Sequence, residues 1–444
     1  MRYVPHTPGQ VAEMLAFLGL SAVDELFAVI PEEVRFKGEL SLPPALDEVE
    51  LRRELEALAG ANPGSGYVSF LGAGAYDHYV PAAVRALASR PEFLTAYTPY
   101  QPERSQGTLA AIFEYQTMIA RLTGMDVVNA SVYDGASALA EAVLMAFDLK
   151  RKKKVVVSGA VHPEYVETVK TYCYGVGGEV SLVPYTPGYE TDWGAAEKAA
   201  DGEAAALVVS VPNFFGVVED VRRAQELARE KGLLLVVVAN PISLALLKPP
   251  AAYGADLVVG EGQPLGNALS FGGPYLGFLG ARAAYVRRMP GRLVGETVDA
   301  LGRRAFVLTL QAREQHIRRE KATSNICSNQ AQNALLAAVY LAYLGPRGLR
   351  DVAYHSHTRA RYFLTRIDEA GRGVRVLCRR IFNELVVEVE GLEEKYQQAL
   401  ERKILPGLKL ERFFPAEKNR LLVAFTEKRT RGEIDALLEV LGVK

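Results

Sequence analysis

Cysteine, histidine and any excess of one charge are scarce in this sequence, and each scarcity removes a class of chemistry. The three cysteines, Cys173, Cys327 and Cys378, are scattered over 444 residues, which suits neither a disulfide framework nor a thiolate metal site. Of the six histidines only His355 and His357 are close together. Two apart on a helix, they point to different sides, so no metal site is expected. Lysine plus arginine number 51 against 52 acids, a net charge of -1. That balance leaves no electrostatic footprint for nucleic acid or an anionic membrane. The longest apolar stretch, 233–247, is broken by Asn240-Pro241 and falls short of the roughly 18 residues a membrane span needs. The first residues, MRYVPHTPGQ, lack the charged and apolar regions of a secretory signal. A soluble protein of the reducing cytoplasm is expected. No Walker loop, C-x-x-C, H-E-x-x-H or G-x-S-x-G is present. Lysine itself is missing from the whole stretch between Lys248 and Lys321.

What is there reads as an ordinary globular composition, 49% hydrophobic and 23% charged. Residues 1–65 suggest a helical arm: Thr7-Pro8 opens a helix stopped at Gly19, Ser21 caps a short second one, and 51–58 makes a third. Residues 66–345 form a large α/β domain. Apolar runs at 155–158, 180–183, 207–211, 233–238, 257–259 and 275–279 alternate with helical patterns near 137–149, 163–174, 192–200 and 220–231. Runs without polar alternation indicate a mostly parallel sheet covered on both faces. Helices at 330–344 and 349–370 lead into residues 346–444, a small α+β domain with strands at 382–389 and 421–425.

Polar punctuation falls at the carboxyl ends of the strands, where such sheets bind ligands. In SVYDGAS (131–137), Gly135, Ala136 and Ser137 start a helix and make either an anion site or a plain cap. His162, before Pro163, suits ring stacking or a structural role equally. The glycine pair Gly72 and Gly74 is followed by Asp77, where a dinucleotide fingerprint needs glycine. The run KRKKK at 150–154 closes a helix and is read as a solvated terminus complementing the helix dipole. The segment 96–107, AYTPYQPERSQG, is proline-stiffened; Ser105 is placed to cap the next helix, and Glu103 and the tyrosines form either a rigid connector or a polar wall facing a ligand. Residues 281–330 hold a second polar cluster, in part an amphipathic helix, with Arg313, His316, Arg318, Arg319 and Lys321 ahead of Thr323, Ser324 and Asn325. Guanidinium groups before such a turn suit a phosphate or carboxylate.

Several of these stretches together carry a resemblance. YTPYQPERSQG, NASVYDGASALAEA, GEGQPLGNALSFGGPYLG, MPGRLVGETVD and REQHIRREKATSNICSNQ resemble the N-terminal half of glycine decarboxylase, the P-protein of the glycine cleavage system, over essentially the whole chain. The resemblance implies a fold-type I pyridoxal phosphate enzyme: a mostly parallel seven-stranded sheet with helices on both faces, a small C-terminal α+β domain and an N-terminal helical arm. In this family the second half carries the cofactor lysine, and the matching position here is Gln263. A Schiff base needs a primary amine, so no covalent catalytic residue is expected in this chain. Ala239 and Asn240 stand where the aspartate for the pyridine nitrogen is usual.

By resemblance, pyridoxal phosphate is held by a lysine-bearing partner subunit in an α2β2 assembly. That enzyme decarboxylates glycine and passes the aminomethyl group to the lipoyl arm of the H-protein. Tyr97, Thr98, Tyr100, Gln101 and Glu103 are expected to line the substrate or lipoyl pocket, and Thr323, Ser324 and Asn325 to reach toward the partner's cofactor. Two alternatives stay open: a structural or regulatory subunit without active-site groups, and a self-sufficient pyridoxal phosphate enzyme using Lys248 or Lys321.

Overall fold

A computed structural model describes residues 5–443 apart from 63, 65, 95, 96, 323, 327, 328, 371 and 372. The chain divides into two compact units, Met1–Ser65 and Gly66–Lys444. In the first, α1 (Pro8–Phe17) is closed by a capping box: Thr7 Oγ1 accepts from the Gln10 amide, and the Gln10 side chain accepts from the Thr7 amide. A second box, Asp47 with Glu50, starts α2 (Glu48–Gly60). Ser21 does not cap in the expected way. The turn Val23–Phe27 has Ala22 at its cap position, and Ser21 donates through its amide to the Glu25 carboxylate, which reaches back over the turn.

The second unit is built on one sheet that among the described residues has seven strands. They are β1 (Val127–Val128), β2 (Lys154–Ser158), β3 (Glu179–Val183), β4 (Ala204–Val211), β5 (Leu234–Ala239), β6 (Leu257–Glu261) and β7 (Gly277–Ala281), in the order β1-β7-β6-β5-β4-β2-β3. The five from β6 to β3 run parallel, and β7 and β1 are added antiparallel at one edge. Alternation sends neighbouring residues of one strand to opposite cores. Val156, Leu207, Val209, Leu235, Val237 and Val258 join one buried cluster. Val155, Val157, Ala206, Val208, Val236 and Val259 join the other. Both faces are therefore apolar, which is why these strands read as continuous hydrophobic runs.

The helices that cover the sheet are α3 (Ala82–Ala88), α4 (Gln106–Thr123), α5 (Gly135–Lys150), α6 (Pro163–Gly175), α7 (Trp193–Ala199), α8 (Val221–Lys231) and the long α9 (Ala331–Ala370). The two helices expected at 330–344 and 349–370 are both there: Ala331–Ala370 is broken at Gly345, whose φ of 60° and ψ of -176° are not helical, and Pro346 follows; proline removes a ladder donor at the break. Part of 281–330 departs from the expected amphipathic helix. Leu293–Val298 and Arg304–Thr309 pair antiparallel as a ribbon, and Gln315–Arg318 is a single turn. The alternating Phe306 and Leu308 are buried against Leu109 and Ile112 of α4, a period of two rather than 3.6.

A second, four-stranded antiparallel sheet (Val374–Val376, Glu384–Val389, Arg420–Ala424, Leu408–Lys409) is backed by α9, α10 (Leu392–Glu401) and α11 (Arg431–Val440). Among the described residues no helix is long and apolar enough to cross a membrane.

Candidate functional site

The carboxyl ends of β4, β5 and β6 and the turn after β2 converge on a cavity lined by Tyr76, His162, Tyr165, Asn213, Asn240 and Glu261. Sheets of this topology bind ligands there, yet this cavity has only about 60 Å³. The chain's own side chains fill it. Glu261, at the end of β6, accepts from the backbone amides of Gly135 (3.0 Å), Gln263 (2.9 Å) and Leu276 (2.8 Å). Its carboxylate thus takes the first amide of α5, and of the two readings left open for Gly135–Ser137, an anion site or a plain cap, the chain's own carboxylates Glu261 and Asp134 supply the cap. Asp134 caps the same helix through the Ser137 amide at 2.7 Å. Burial pushes the Glu261 carboxyl up to about 7 against the pull of the three amides. The close approach also fixes a glycine: a Cβ on Gly277 would stand 2.1 Å from the Asp134 carbonyl oxygen.

Gln263 is 1% exposed. Its Oε1 accepts from the Tyr76 amide at 3.1 Å, and its Nε2 donates to the carbonyls of Tyr76 (3.2 Å) and Asn267 (2.8 Å). An amide that both donates and accepts is thereby used as backbone pairing. Asn240 accepts from the amides of Ile242 and Ser243, so it caps a turn rather than facing a ring. His162 stacks on the chain's own Tyr165 at 5.0 Å. Its Nε2 lies 2.9 Å from the Ala73 carbonyl and its Nδ1 accepts from Glu164, which describes the neutral ring; burial lowers its pKa accordingly.

A different set of polar groups gathers around the 97–105 loop. Gln106 anchors that loop to the ribbon: its Nε2 donates to Pro102 O and Phe306 O, and its Oε1 accepts from the Phe306 amide. Ser105 sits at the cap position of α4 but makes no side-chain cap bond. Tyr100 Oη accepts from Arg292 Nη2 at 3.0 Å, with the guanidinium over the Tyr100 ring and His316 edge-on to it at 5.7 Å. Arg292 is 4% exposed and pairs with Glu314 at 3.6 Å; His316 Nδ1 lies 3.5 Å from the same carboxylate. Three family-like stretches therefore meet at one point, although nearly 200 residues separate Tyr100 from Arg292.

The structure places the sequence-derived candidates as follows. Tyr97 is exposed and lines a cleft of about 460 Å³ with Phe93, Asn329 and Gln332. Thr98 is half-buried, and its carbonyl accepts from the Tyr100 amide. Gln101 is exposed and its carbonyl turns the loop by accepting from Arg104 and Ser105. Glu103 is exposed. Ser324 donates to Glu141 Oε1 at 2.8 Å and accepts from the Ile326 amide; Asn325 beside it is exposed. Thr323 lies outside the described residues. Sequence reasoning missed Arg292, Glu314 and Glu141 as members of these clusters. Glu141 is a carboxylate in an otherwise apolar stretch of α5, LAEAV, and that isolation was the available signal. Burial pushes it up to about 7, opposed by the Ser324 hydroxyl. Among the described residues no group of His, Cys, Asp and Glu is placed to hold a metal.

Comparisons with known proteins agree on one family. The glycine cleavage system P-protein family matches residues 1–441. A Carboxydothermus hydrogenoformans protein named "Probable glycine dehydrogenase (decarboxylating) subunit 1" is 55% identical over 444 residues, covering 100% of this chain and 99% of that one. The crystal structure of an inhibitor-bound glycine decarboxylase (P-protein) superposes with a TM-score of 0.90 at 45% identity, over 99% of both chains. Glutamate decarboxylase of Lactobacillus brevis, at 13% identity, shares the fold alone, with a TM-score of 0.68 over 95% of this chain and 96% of that one. These neighbours are fold-type I pyridoxal phosphate enzymes, and this chain has their fold.

The cavity described above does not fit that cofactor. It offers no primary amine, Glu261 and Asp134 already take the Gly135 and Ser137 amides at the start of α5, and about 60 Å³ is far below the roughly 300–1,000 Å³ of ligand pockets.

Proposed function

The chain belongs to the glycine cleavage system P-protein family, and from that premise we propose that it is the subunit without the cofactor lysine in a two-chain glycine decarboxylase. The partner, a lysine-bearing subunit, holds pyridoxal phosphate, and the two assemble as α2β2 in the cytoplasm. The assembled enzyme decarboxylates glycine and hands the aminomethyl group to the lipoyl arm of the H-protein.

One observation carries the reading: Gln263 and Glu261 satisfy with their own hydrogen bonds the places where a lysine and a phosphate would act. The chemistry then belongs to the partner's site. This chain contributes a wall to it. Tyr97, Thr98, Tyr100, Gln101 and Glu103 line the substrate or lipoyl pocket, and Thr323, Ser324 and Asn325 are the residues assigned to the partner's cofactor. Arg292, paired with Glu314, donates to the Tyr100 hydroxyl, and Glu141 accepts from Ser324. The wall's work is to bind and orient, and to keep water from the reacting centre.

Co-purification with the lysine-bearing subunit tests this directly. Glycine-dependent exchange of carbon dioxide is expected only with both chains present, and the single chain mixed with pyridoxal phosphate is expected to give no internal-aldimine absorbance. A band in the single chain that disappears in Lys248→Ala or Lys321→Ala would overturn the proposal in favour of a self-sufficient enzyme.

A further inference from the structure

Basic side chains are segregated in a chain whose charges otherwise balance. A cleft of about 840 Å³ lies among the C-terminal end of α5, the turns at Ala283–Arg288 and the segment 310–322. Eight lysines and arginines line it against one acid, Asp148. Many of the cations are already engaged. Asp148 takes Arg151 at 3.1 Å and Arg288 at 2.8 Å. Lys153 donates to Val176 O and Arg318 to Ala312 O. Arg313 spreads its guanidinium over the carbonyls of Leu310, Met289 and Gly291. That leaves Lys152, Arg287 and Lys321, which make no hydrogen bond or ion pair among the described residues. The run at 150–154 is thus only partly a helix terminus: Lys150 and Lys154 bind Gly232 O and Asp201, while Lys152 turns to the cleft.

Resting on the function proposed above, we propose that this cleft is the docking surface for a carboxylate-rich face of the lipoyl-bearing carrier protein. Its chemistry favours an acidic protein surface over a small anion. A phosphate site gathers backbone amides at a helix N-terminus and buried guanidinium groups. Here the helix end is the C-terminus of α5, which presents carbonyls, and Arg287 and Lys321 are exposed on the rim. Long, unpaired cations, Arg287 and Lys321 exposed and Lys152 half-buried, spread over a wide cleft are the electrostatic complement of an acidic patch. Position supports the same occupant. Arg313 also lines the small cavity that holds Ser324 and Glu314, so the cleft adjoins the wall of the candidate site.

The test uses the assembled two-subunit enzyme with lipoylated H-protein as the varied substrate. In the double variant Lys152→Glu, Arg287→Glu, the KM for H-protein is expected to rise about tenfold or more with kcat within about twofold. The KM for free lipoic acid is expected to stay within about twofold, and added salt to raise the wild-type KM more steeply than that of the variant. An unchanged KM for H-protein overturns the inference. So does equal weakening toward free lipoic acid, or loss of assembly, which would put the cleft on the subunit interface. A wild-type assembly without glycine-dependent exchange would instead overturn the proposed function.

Discussion

The Tyr100 hydroxyl oxygen accepts a hydrogen bond from the buried Arg292 guanidinium at 3.0 Å, so the Tyr100 proton is directed away from Arg292. Tyr100 is 45% exposed, and the free side of its hydroxyl is therefore a donor offered outside the chain. Glu314 fixes the donor side by pairing with Arg292. In the assembled enzyme, Tyr100→Phe is expected to lower kcat/KM about tenfold or more, the loss of one hydrogen bond to a charged or developing acceptor. Arg292→Lys keeps the charge but loses the planar fork, and is expected to fall between wild type and Tyr100→Phe. Full activity in Tyr100→Phe would leave this cluster structural and favour a subunit without active-site groups.

Glu141 gives a pH dependence with a definite sign. Its carboxyl is pushed from about 4.5 up to about 7 by burial, so the fold disfavours the ionised form. The stability tied to this group is complete below about pH 4.5 and is lost as pH rises through about 7. Glu141→Gln keeps an acceptor for Ser324 and removes the charge. Urea denaturation at pH 8 is expected to show a gain of roughly 1–3 kcal/mol, and at pH 4.5 almost none. Glu261 and Glu384, each also pushed up to about 7, keep their own contributions to the slope. An equal gain at both pH values would rule out titration of Glu141 as its cause.

Much of the scaffold was legible because local rules decide it. Continuous apolar runs marked β2 and β4 to β7 because both sheet faces are buried there, while the edge strand β3 is partly exposed, and Thr7 before Pro8 marked the start of α1. The ribbon at 293–309 was harder, since its period-two apolar residues lie between arginine-rich stretches that read as helix surface. The two-residue β1 is too short to leave a pattern at all. Of the polar clusters, Tyr100 stood out by its proline-rich surroundings. Its partners Arg292 and Glu314 did not, because a hydrogen bond between segments as far apart as Tyr100 and Arg292 is set by how the ribbon packs on α4 and not by spacing. Glu261 is the clearest case: one carboxylate after a valine strand gives no sign that three backbone amides from separate turns converge on it.

Restoring the amine does not restore a cofactor site. In Gln263→Lys the new side chain can donate to Tyr76 O and Asn267 O but cannot accept from the Tyr76 amide, which Gln263 now satisfies. An unpaired buried N–H costs roughly 1–3 kcal/mol, so the variant is expected to melt several degrees lower. Mixed with pyridoxal phosphate it is expected to give no internal-aldimine band, because Glu261 and Asp134 still hold the Gly135 and Ser137 amides and the cavity keeps only about 60 Å³. A band at wild-type stability would show that the missing lysine alone keeps the cofactor out.

Phe271 links strain to assembly. It is 99% exposed and sits at φ 54° after Ser270 at 45°, a left-handed region that costs a residue with a Cβ about 1 kcal/mol. No burial within the chain offsets that cost. The loop keeps its path nonetheless: the Asn333 amide donates to both Pro274 O and Tyr275 O at 2.8 Å. In the proposed two-chain assembly, burial of this ring against the partner subunit would offset that cost. Phe271→Gly is therefore expected to move two measurements in opposite directions. Denaturation of the isolated chain should show stability unchanged or raised by up to about 1 kcal/mol. Sedimentation of the two-chain assembly should show its dissociation constant raised about tenfold or more, as for the loss of an aromatic anchor. Assembly as tight as wild type would remove Phe271 from the subunit interface.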